Sequence, residues 1–340
     1  MATGPTLGLL MPMTGAGLPA GRLLRELVAE ARACEASGFD VCLIPEHHRG
    51  PEGSLTDPVT VSAWLLASTR RLRVGSGVLV APLHHPVRLA EQAALLQQAS
   101  GGRLLLGVGA GYQPADFELF GEDLSNRKRA TEAFLRRLSA AWRGESVVAS
   151  RRVVPGLGEY APPEVWLGSW SRPGLRLAAE LSDGWLVDPI RDDAEILRMA
   201  AWYREAAAAA GRRPRVLAIR HCWVAASDAA AAIAYGPVVE PIYRYYLRAG
   251  AFGRTPPAEE DLALGKGLEN RVICGSPATV TDRLVAFIES VGADGTVLAL
   301  RHPGGPAHEA VLEAIELLGT EVLPAVRRRV GVGAYRAGSA

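Results

Sequence analysis

Val41-Cys42-Leu43-Ile44-Pro45-Glu46-His47-His48 reads as a short apolar strand that runs out into a proline, a carboxylate and two imidazoles. Four apolar residues without polar alternation are what a parallel strand covered on both faces requires. Ligands bind, and chemistry is done, beyond the carboxyl end of such a strand in a barrel or an open α/β sheet. An imidazole there exchanges a proton near neutral pH, and a neighbouring carboxylate can fix its tautomer. Adjacent histidines on an ordinary loop are solvated or structural, so the stretch by itself leaves both roles open.

Outward from this stretch the same unit recurs. Apolar runs at 6–10, 41–44, 72–80, 103–109, 164–168, 184–187, 216–224 and 295–300 predict strands. Between and after them, 21–37, 58–69, 86–99, 126–142, 173–181, 192–210, 277–291 and 307–326 carry helical spacing, as in Leu23, Leu24, Leu27, Val28 and Ala31. Strands each followed by a helix belong to the α/β class and specify a (β/α)8 TIM barrel. A doubly wound sheet would need two lobes, and no linker separates any. A single barrel domain is therefore expected over 1–330, with a flexible tail at 331–340. Two insertions exceed a plain barrel. The Pro/Gly-rich stretch 144–163 follows the fourth long helix and holds a β-like run at 147–154. The other, 225–271, lies between the seventh and eighth strands, with helical runs at 228–234 and 241–249 and a polar stretch at 253–266, and is expected to act as a lid.

Composition narrows the function. With 49% hydrophobic and 21% charged residues in 340, the chain can bury a large core. Thirty-seven basic residues against 36 acidic leave a net charge of +1, which provides no field for nucleic acid or a membrane surface. Lys128 and Lys266 are the sole lysines, an arginine bias that reads as genome composition. Cys34, Cys42, Cys222 and Cys274 form no CxxC and suit a reducing compartment. No basic leader followed by a long apolar stretch begins the sequence, and no 18-residue apolar run occurs, so a cytoplasmic protein is expected.

Three further stretches fall at strand ends. Gly75-Ser76-Gly77-Val78-Leu79-Val80-Ala81-Pro82 leads to Leu83-His84-His85-Pro86, and Gly107-Val108-Gly109-Ala110-Gly111-Tyr112 leads to Phe117-Glu118-Leu119-Phe120-Gly121. Val165-Trp166-Leu167-Gly168-Ser169-Trp170-Ser171 leads to Asp183-Gly184-Trp185. With Gly38-Phe39-Asp40 and Pro45-Glu46-His47-His48, these resemble, in order and spacing, the bacterial luciferase-like family of flavin-dependent monooxygenases. The resemblance spans roughly 5–325 and is closest to the FMN-using branch, where Glu-His-His follows the second strand. It implies a barrel that binds reduced FMN, lets it react with O2 to a flavin 4a-hydroperoxide, and transfers one oxygen atom to a small organic substrate. It also implies a separate flavin reductase as partner and a homodimer packed through the helices at 58–69 and 86–99. The Gly107–Gly111 run lacks the GxGxxG spacing of a dinucleotide site, in keeping with that division of labour.

The resemblance assigns His47 to flavin oxygenation and proton transfer, with His48 in support and Glu46 as an orienting carboxylate. Gly77-Val78 matches a non-prolyl cis peptide that backs the isoalloxazine. A phosphate needs amides at a helix start and one or two arginines. Ser169, Trp170, Ser171 and Arg172, ahead of the helix at 173–181, supply the first, and Arg127 and Arg129 are the cationic partners. Ala110 stands where luciferase has an arginine, so Arg172 is expected to compensate or amides to carry the phosphate. Tyr112 and Trp170 are assigned to the site as aromatic walls, with Trp185 and Trp223 near other strand ends and Leu9 and Met11 as an apolar floor. Two histidine pairs, with His84 and His85, invite a metal, but no third element has ligand spacing, and no metal is expected.

Two alternatives remain within reach of the sequence. A deazaflavin-dependent hydride-transfer enzyme shares the fold and the glycine-rich stretches, although such enzymes more often carry Asp-His after the second strand. A non-catalytic flavin-binding barrel is the other. The substrate is undetermined. In the variable 225–271 segment, Tyr243, Arg244, Tyr245, Tyr246 and Arg248 could contact an aromatic, acyl or carrier-bound molecule or simply pack on the barrel, and a natural-product tailoring step is one use of such a contact.

Overall fold

The computed structural model describes residues 4–13, 17–48, 55–145, 155–252 and 256–331. The β-like run expected at 147–154 and all of the expected tail except Gly331 lie outside these residues.

Among the described residues there are nine parallel strands: β1 (Thr6–Leu10), β2 (Val41–Ile44), β3 (Arg73–Val80), β4 (Leu104–Gly109), β5 (Glu164–Gly168), β6 (Gly184–Val187), β7 (Val216–Val224), β8 (Val272–Gly275) and β9 (Gly295–Ala299). Strands β1 to β7 pair in chain order, β7 pairs with β9, and β9 returns to β1, closing an eight-stranded barrel. The eighth barrel strand is thus β9. The extra strand, β8, joins only the upper half of β7, His221–Val224 against Val272–Gly275. At four residues, directly after the expected lid, its apolar run is too short to stand out by pattern.

Strand alternation sorts the core. Val41, Leu43, Leu105, Trp166, Leu186, Leu217, Ile219, Val297 and Ala299 pack as the interior cluster. Leu9 and Met11, expected under the pocket, belong instead to the layer between strands and helices, because Leu10 takes the inward position on β1. That outer layer is covered by α1 (Ala20–Ala36), α2 (Pro58–Ser68), α3 (Pro86–Ser100), the short α4 (Pro114–Phe120), α5 (Arg127–Trp142), α6 (Arg172–Leu181), α7 (Asp193–Ala209), α8 (Asp228–Arg248), α9 (Pro277–Val291), α10 (His308–Leu317) and α11 (Leu323–Val330).

Two helical expectations change. The runs at 228–234 and 241–249 are one helix, α8, which continues through Pro237 and Pro241. Each proline removes a helical hydrogen bond, but Tyr235, Val239, Ile242 and Tyr243 bury one face and hold the axis together. The helix expected at 307–326 is divided by a π turn, Leu318–Val322, where Gly319 presses against Ser37.

The floor of the open end is set by close strand approach. The β3–β4 register shifts between Ser76 and Leu79, at a cis Gly77–Val78 peptide, as the family resemblance implied. One residue pair below, a Cβ on Gly75 would stand 1.6 Å from the Leu105 carbonyl oxygen. Gly75→Ala is expected to force the strands apart and cost more than ~4 kcal/mol, seen as a large drop in the urea midpoint. An unchanged midpoint would contradict this register.

Candidate functional site

The carboxyl ends of β2 to β7 enclose a cavity of about 530 Å³. The alternation that sends Val41 and Leu43 inward continues past β2, so Pro45 and His47 reach the cavity while His48 turns toward α4. His48 packs edge-on against Phe120 at 4.6 Å and does not line the cavity.

Glu46 is the hub of this strand end. Its carboxylate, 3% exposed, accepts the Val80 backbone N–H at 2.6 Å, and its own N–H donates to the Val78 carbonyl at 3.1 Å. Both oxygens lie within 2.8 and 3.0 Å of His84 Nε2, and one lies 2.7 Å from His48 Nε2. Burial raises a carboxyl pKa, but the bonds from His48, His84 and Val80 overcome it and hold Glu46 below its ordinary value. The same bond raises the His48 pKa, against burial. The orienting role expected of Glu46 therefore acts on His48, His84 and the β3 backbone. His84, half of a suspected metal pair, is bracketed by this carboxylate, and the exposed His85 begins α3 as its cap. Among the described residues, no three His, Cys, Asp or Glu side chains converge as metal ligands would. His47, enclosed by the cavity wall, has its pKa pushed down by burial to about 4, so its imidazole is neutral at pH 7.

Glycines keep the opposite wall thin. A Cβ at Gly109 would meet Val78 at 2.7 Å, and Gly111 takes φ of +73°, open to glycine at little cost. Gly77, Val78, Ala110 and Tyr112, assigned from sequence to the cofactor site, line the cavity. So do Ser169, Trp170 and Ser171, which lead into α6, where Ser171 caps the helix by accepting from Gly174 N at 3.4 Å. Arg127 and Arg129 line it from the first turn of α5, beside Lys128. Arg172 does not. Its guanidinium lies 4.5 Å over the Trp202 ring on α7, a stacking contact that turns it away from the loop it was expected to serve. Trp185 and Trp223 also stay out of the cavity. Trp185 donates to the Ser169 carbonyl at 2.8 Å, and Trp223 stacks on Tyr235 at 5.6 Å.

Sequence reasoning missed part of the wall. Asp188, Pro189 and Ile190 extend β6, and Asp188 shares its inward alternation with Leu186, a signal that was readable. Ala251 comes from the turn after α8, which no strand pattern announces, whereas Tyr246, named from sequence among the possible ligand contacts of 225–271, does line the cavity from the end of α8. Under α8 lies a second polar group. Tyr243 donates to the Pro189 carbonyl at 3.1 Å and sits 3.0 Å from His221 Nδ1. Tyr235 donates to the Ala299 carbonyl at 2.7 Å and sits 2.8 Å from His302 Nε2. Each tyrosine hydrogen is thus committed to a carbonyl, so each histidine donates to its tyrosine. The two rings meet at 4.7 Å, nearly perpendicular.

The profile of the luciferase-like monooxygenase family matches residues 6–295. The chain belongs to this family. It is 38% identical over 112 residues to the alkanal monooxygenase alpha chain of Photorhabdus laumondii, covering 33% of this chain and 31% of that one. The matched stretch thus spans about a third of that curated relative. The fold matches the oxygenating constituent of 3,6-diketocamphane monooxygenase from Pseudomonas putida, a type II Baeyer–Villiger monooxygenase in complex with FMN, with TM-score 0.78 and 22% identity over 94% of this chain and 98% of that one. It also matches the coenzyme F420-dependent tetrahydromethanopterin reductase of Methanopyrus kandleri, with TM-score 0.69 and 21% identity over 94% and 99% of the two chains. Among the described residues, no helix of this family member is long and apolar enough to cross a membrane.

The buried imidazoles give a pH signature. Burial lowers the His302 pKa to about 4 and pushes His221 well below its ordinary value, with His302 and Arg220 adding like charge. A histidine whose folded pKa lies below the unfolded ~6.5 leaves stability whole above that pH and removes it as the pH falls. His48 and His308, held high by Glu46 and Glu30, act in the opposite sense. The difference between wild type and His302→Gln reads His302 together with its coupling to His221. On going from pH 7.5 to 4, wild type is expected to lose on the order of 3 kcal/mol more than the variant in urea unfolding. Parallel pH profiles would contradict the neutral, buried state of His302.

Proposed function

We propose that the protein is an FMNH2- and O2-dependent monooxygenase acting on a small organic molecule. The observation that carries this is the composition of one cavity, with a glycine-thinned wall at Gly77 and Gly109, a capped helix start at Ser171 and a neutral imidazole at His47. The residues fit the cofactor. Thin walls admit a flat ring system against backbone. The first turn of α6 leaves N–H groups without helical partners, and the serine contacts that occupy them are long, 3.4 Å each, so an anion competes well there. Arg127, Lys128 and Arg129 crowd the amino end of α5, where positive charge opposes the helix dipole by about 0.3–1 kcal/mol per group. Arg127 donates to the Leu124 carbonyl and Arg129 to Asn126 Oδ1, and an anion in the cavity would offset the charge that remains.

When bound, reduced flavin supplies the two electrons that divide O2, one oxygen atom going to the substrate and the other leaving as water. The chain's part is to shelter and to move protons. His47, neutral beside the cavity, accepts a proton there, and an anionic ligand brought next to it raises its pKa from about 4 toward the working range. Glu46 and His84 keep the β3 wall in place behind it. The FMNH2 would come from a separate reductase, and the oxidation would serve natural-product tailoring. The lid role belongs to 225–271, whose Tyr246 reaches the cavity.

Rapid mixing of the protein and FMNH2 with O2 tests this. In His47→Ala, FMN affinity is expected to stay within about 3-fold while the rate of flavin reoxidation changes at least ~10-fold. Equal loss of both makes His47 structural. Tight binding of a reduced deazaflavin, with none of FMN, replaces the oxygenase with the hydride-transfer alternative.

The same reading includes a homodimer through α2 and α3, supported by Trp64 at 57% and Leu95 at 55% exposure on these neighbouring helices. Light scattering is expected to give twice the chain mass, and Trp64→Glu to halve it. A monomeric wild type at micromolar concentration rejects this arrangement.

A further inference from the structure

Arg191 follows β6 and is 3% exposed, yet it touches three separate walls of the cavity. Its Nη2 donates to the Ala251 carbonyl at 2.8 Å, and its Nη1 to the Phe252 carbonyl at 3.1 Å and to Glu195 at 3.0 Å. Its Nε faces Asp188 at 3.4 Å. Its flat face lies 4.7 Å from the ring of Trp170, the residue between the two serines of the loop that leads into α6. Trp170, Asp188 and Ala251 all line the cavity. The Arg191 backbone is held in turn by Arg220, which donates to the Arg191 carbonyl at 2.8 Å.

We propose that Arg191 is a positioning residue that couples the loop at Ser169–Ser171 to the segment 246–252, so that a ligand engaging the loop orders the far wall of the cavity. A planar fork with five donors can meet two carbonyls and two carboxylates while its cation lies over an indole. Lysine keeps the charge but has neither the plane nor the fork. The carbonyls of Ala251 and Phe252 stand beyond the end of α8, where the helix no longer supplies partners for them. They are bonded from outside by one side chain, and that side chain rests on Trp170. Trp170 is 41% exposed, and its ring contacts among the described residues are with Arg191 and with Tyr112, 6.3 Å away. Displacement of the indole therefore reaches the guanidinium, and through it the lid end.

Hydrogen exchange read by mass spectrometry tests the coupling, with peptides covering 246–252 and, as an internal control, β7. In the ligand-free protein, Arg191→Lys is expected to speed exchange in 246–252 at least ~10-fold with β7 unchanged. Trp170→Leu is expected to speed it several-fold, and Trp170→Phe, which keeps a ring, to restore it. In wild type, saturating FMN is expected to slow exchange in 246–252, and in Arg191→Lys to leave it fast although FMN still binds. Unchanged exchange in Arg191→Lys, or an equal rise in β7, overturns the positioning role. Unchanged exchange in Trp170→Leu overturns the link to the loop. The FMN arm rests on the proposed cofactor. Failure of wild type to bind FMN rejects that cofactor, while the ligand-free measurements still decide the role of Arg191.

Discussion

The hydrogen bond from the Val80 amide to the buried Glu46 carboxylate is the contact on which the open end of the barrel depends. It joins the end of β2 to β3 where the β3–β4 register shifts around Gly77 and Val78. A carboxylate so deeply buried is unfavourable unless its lone pairs are filled, and here they are filled by one amide and two imidazoles. The neighbouring side chains inherit their places from it. His48 is drawn outward to Glu46 and Phe120, and His47, one residue earlier, is left on the cavity side. A motif that looks like three equivalent polar groups is therefore divided into His47 at the cavity, Glu46 at the cavity edge with its carboxylate tied to the wall, and His48 turned outward.

The side of the barrel at β7 is built differently. The lower half of β7 closes the barrel with β6 and β9, and its upper half leaves the barrel to pair with β8. That divergence opens room for α8 to settle over the barrel mouth, with Tyr235 and Tyr243 on its buried face reaching carbonyls of Ala299 and Pro189. Neutral histidines complete those bonds. An imidazolium here would face Arg220 and a second imidazole, so this packing depends on both rings staying uncharged.

Much of the fold was legible because it follows from local patterning. Five of the strands begin and end where the apolar runs do, as in Val41–Ile44 and Val216–Val224, since a parallel strand buried on both faces cannot contain polar alternation. The site was legible where glycine, serine or histidine stands directly at a strand end. Legibility failed where a side chain chooses between neighbours. Arg172 and Arg191 are both arginines beside strand ends. One stacks on Trp202 outside the cavity, and the other sits beneath Trp170 within its wall. Both targets are tryptophans, and nothing local separates them.

By itself, then, the sequence determined the parallel barrel, the end at which its cavity opens and the family to which it belongs, because hydrophobic periodicity and strand-end residue types are local properties. Only the tertiary structure decided that β8 adds to the upper half of β7 outside the barrel, that Glu46 binds backbone and His84 as well as His48, that α8 runs unbroken through two prolines, and that Arg191 meets both Trp170 and the carbonyls beyond α8. Each of these is a choice among partners distant in sequence. It is settled by which buried donors and acceptors must satisfy one another once the chain has closed.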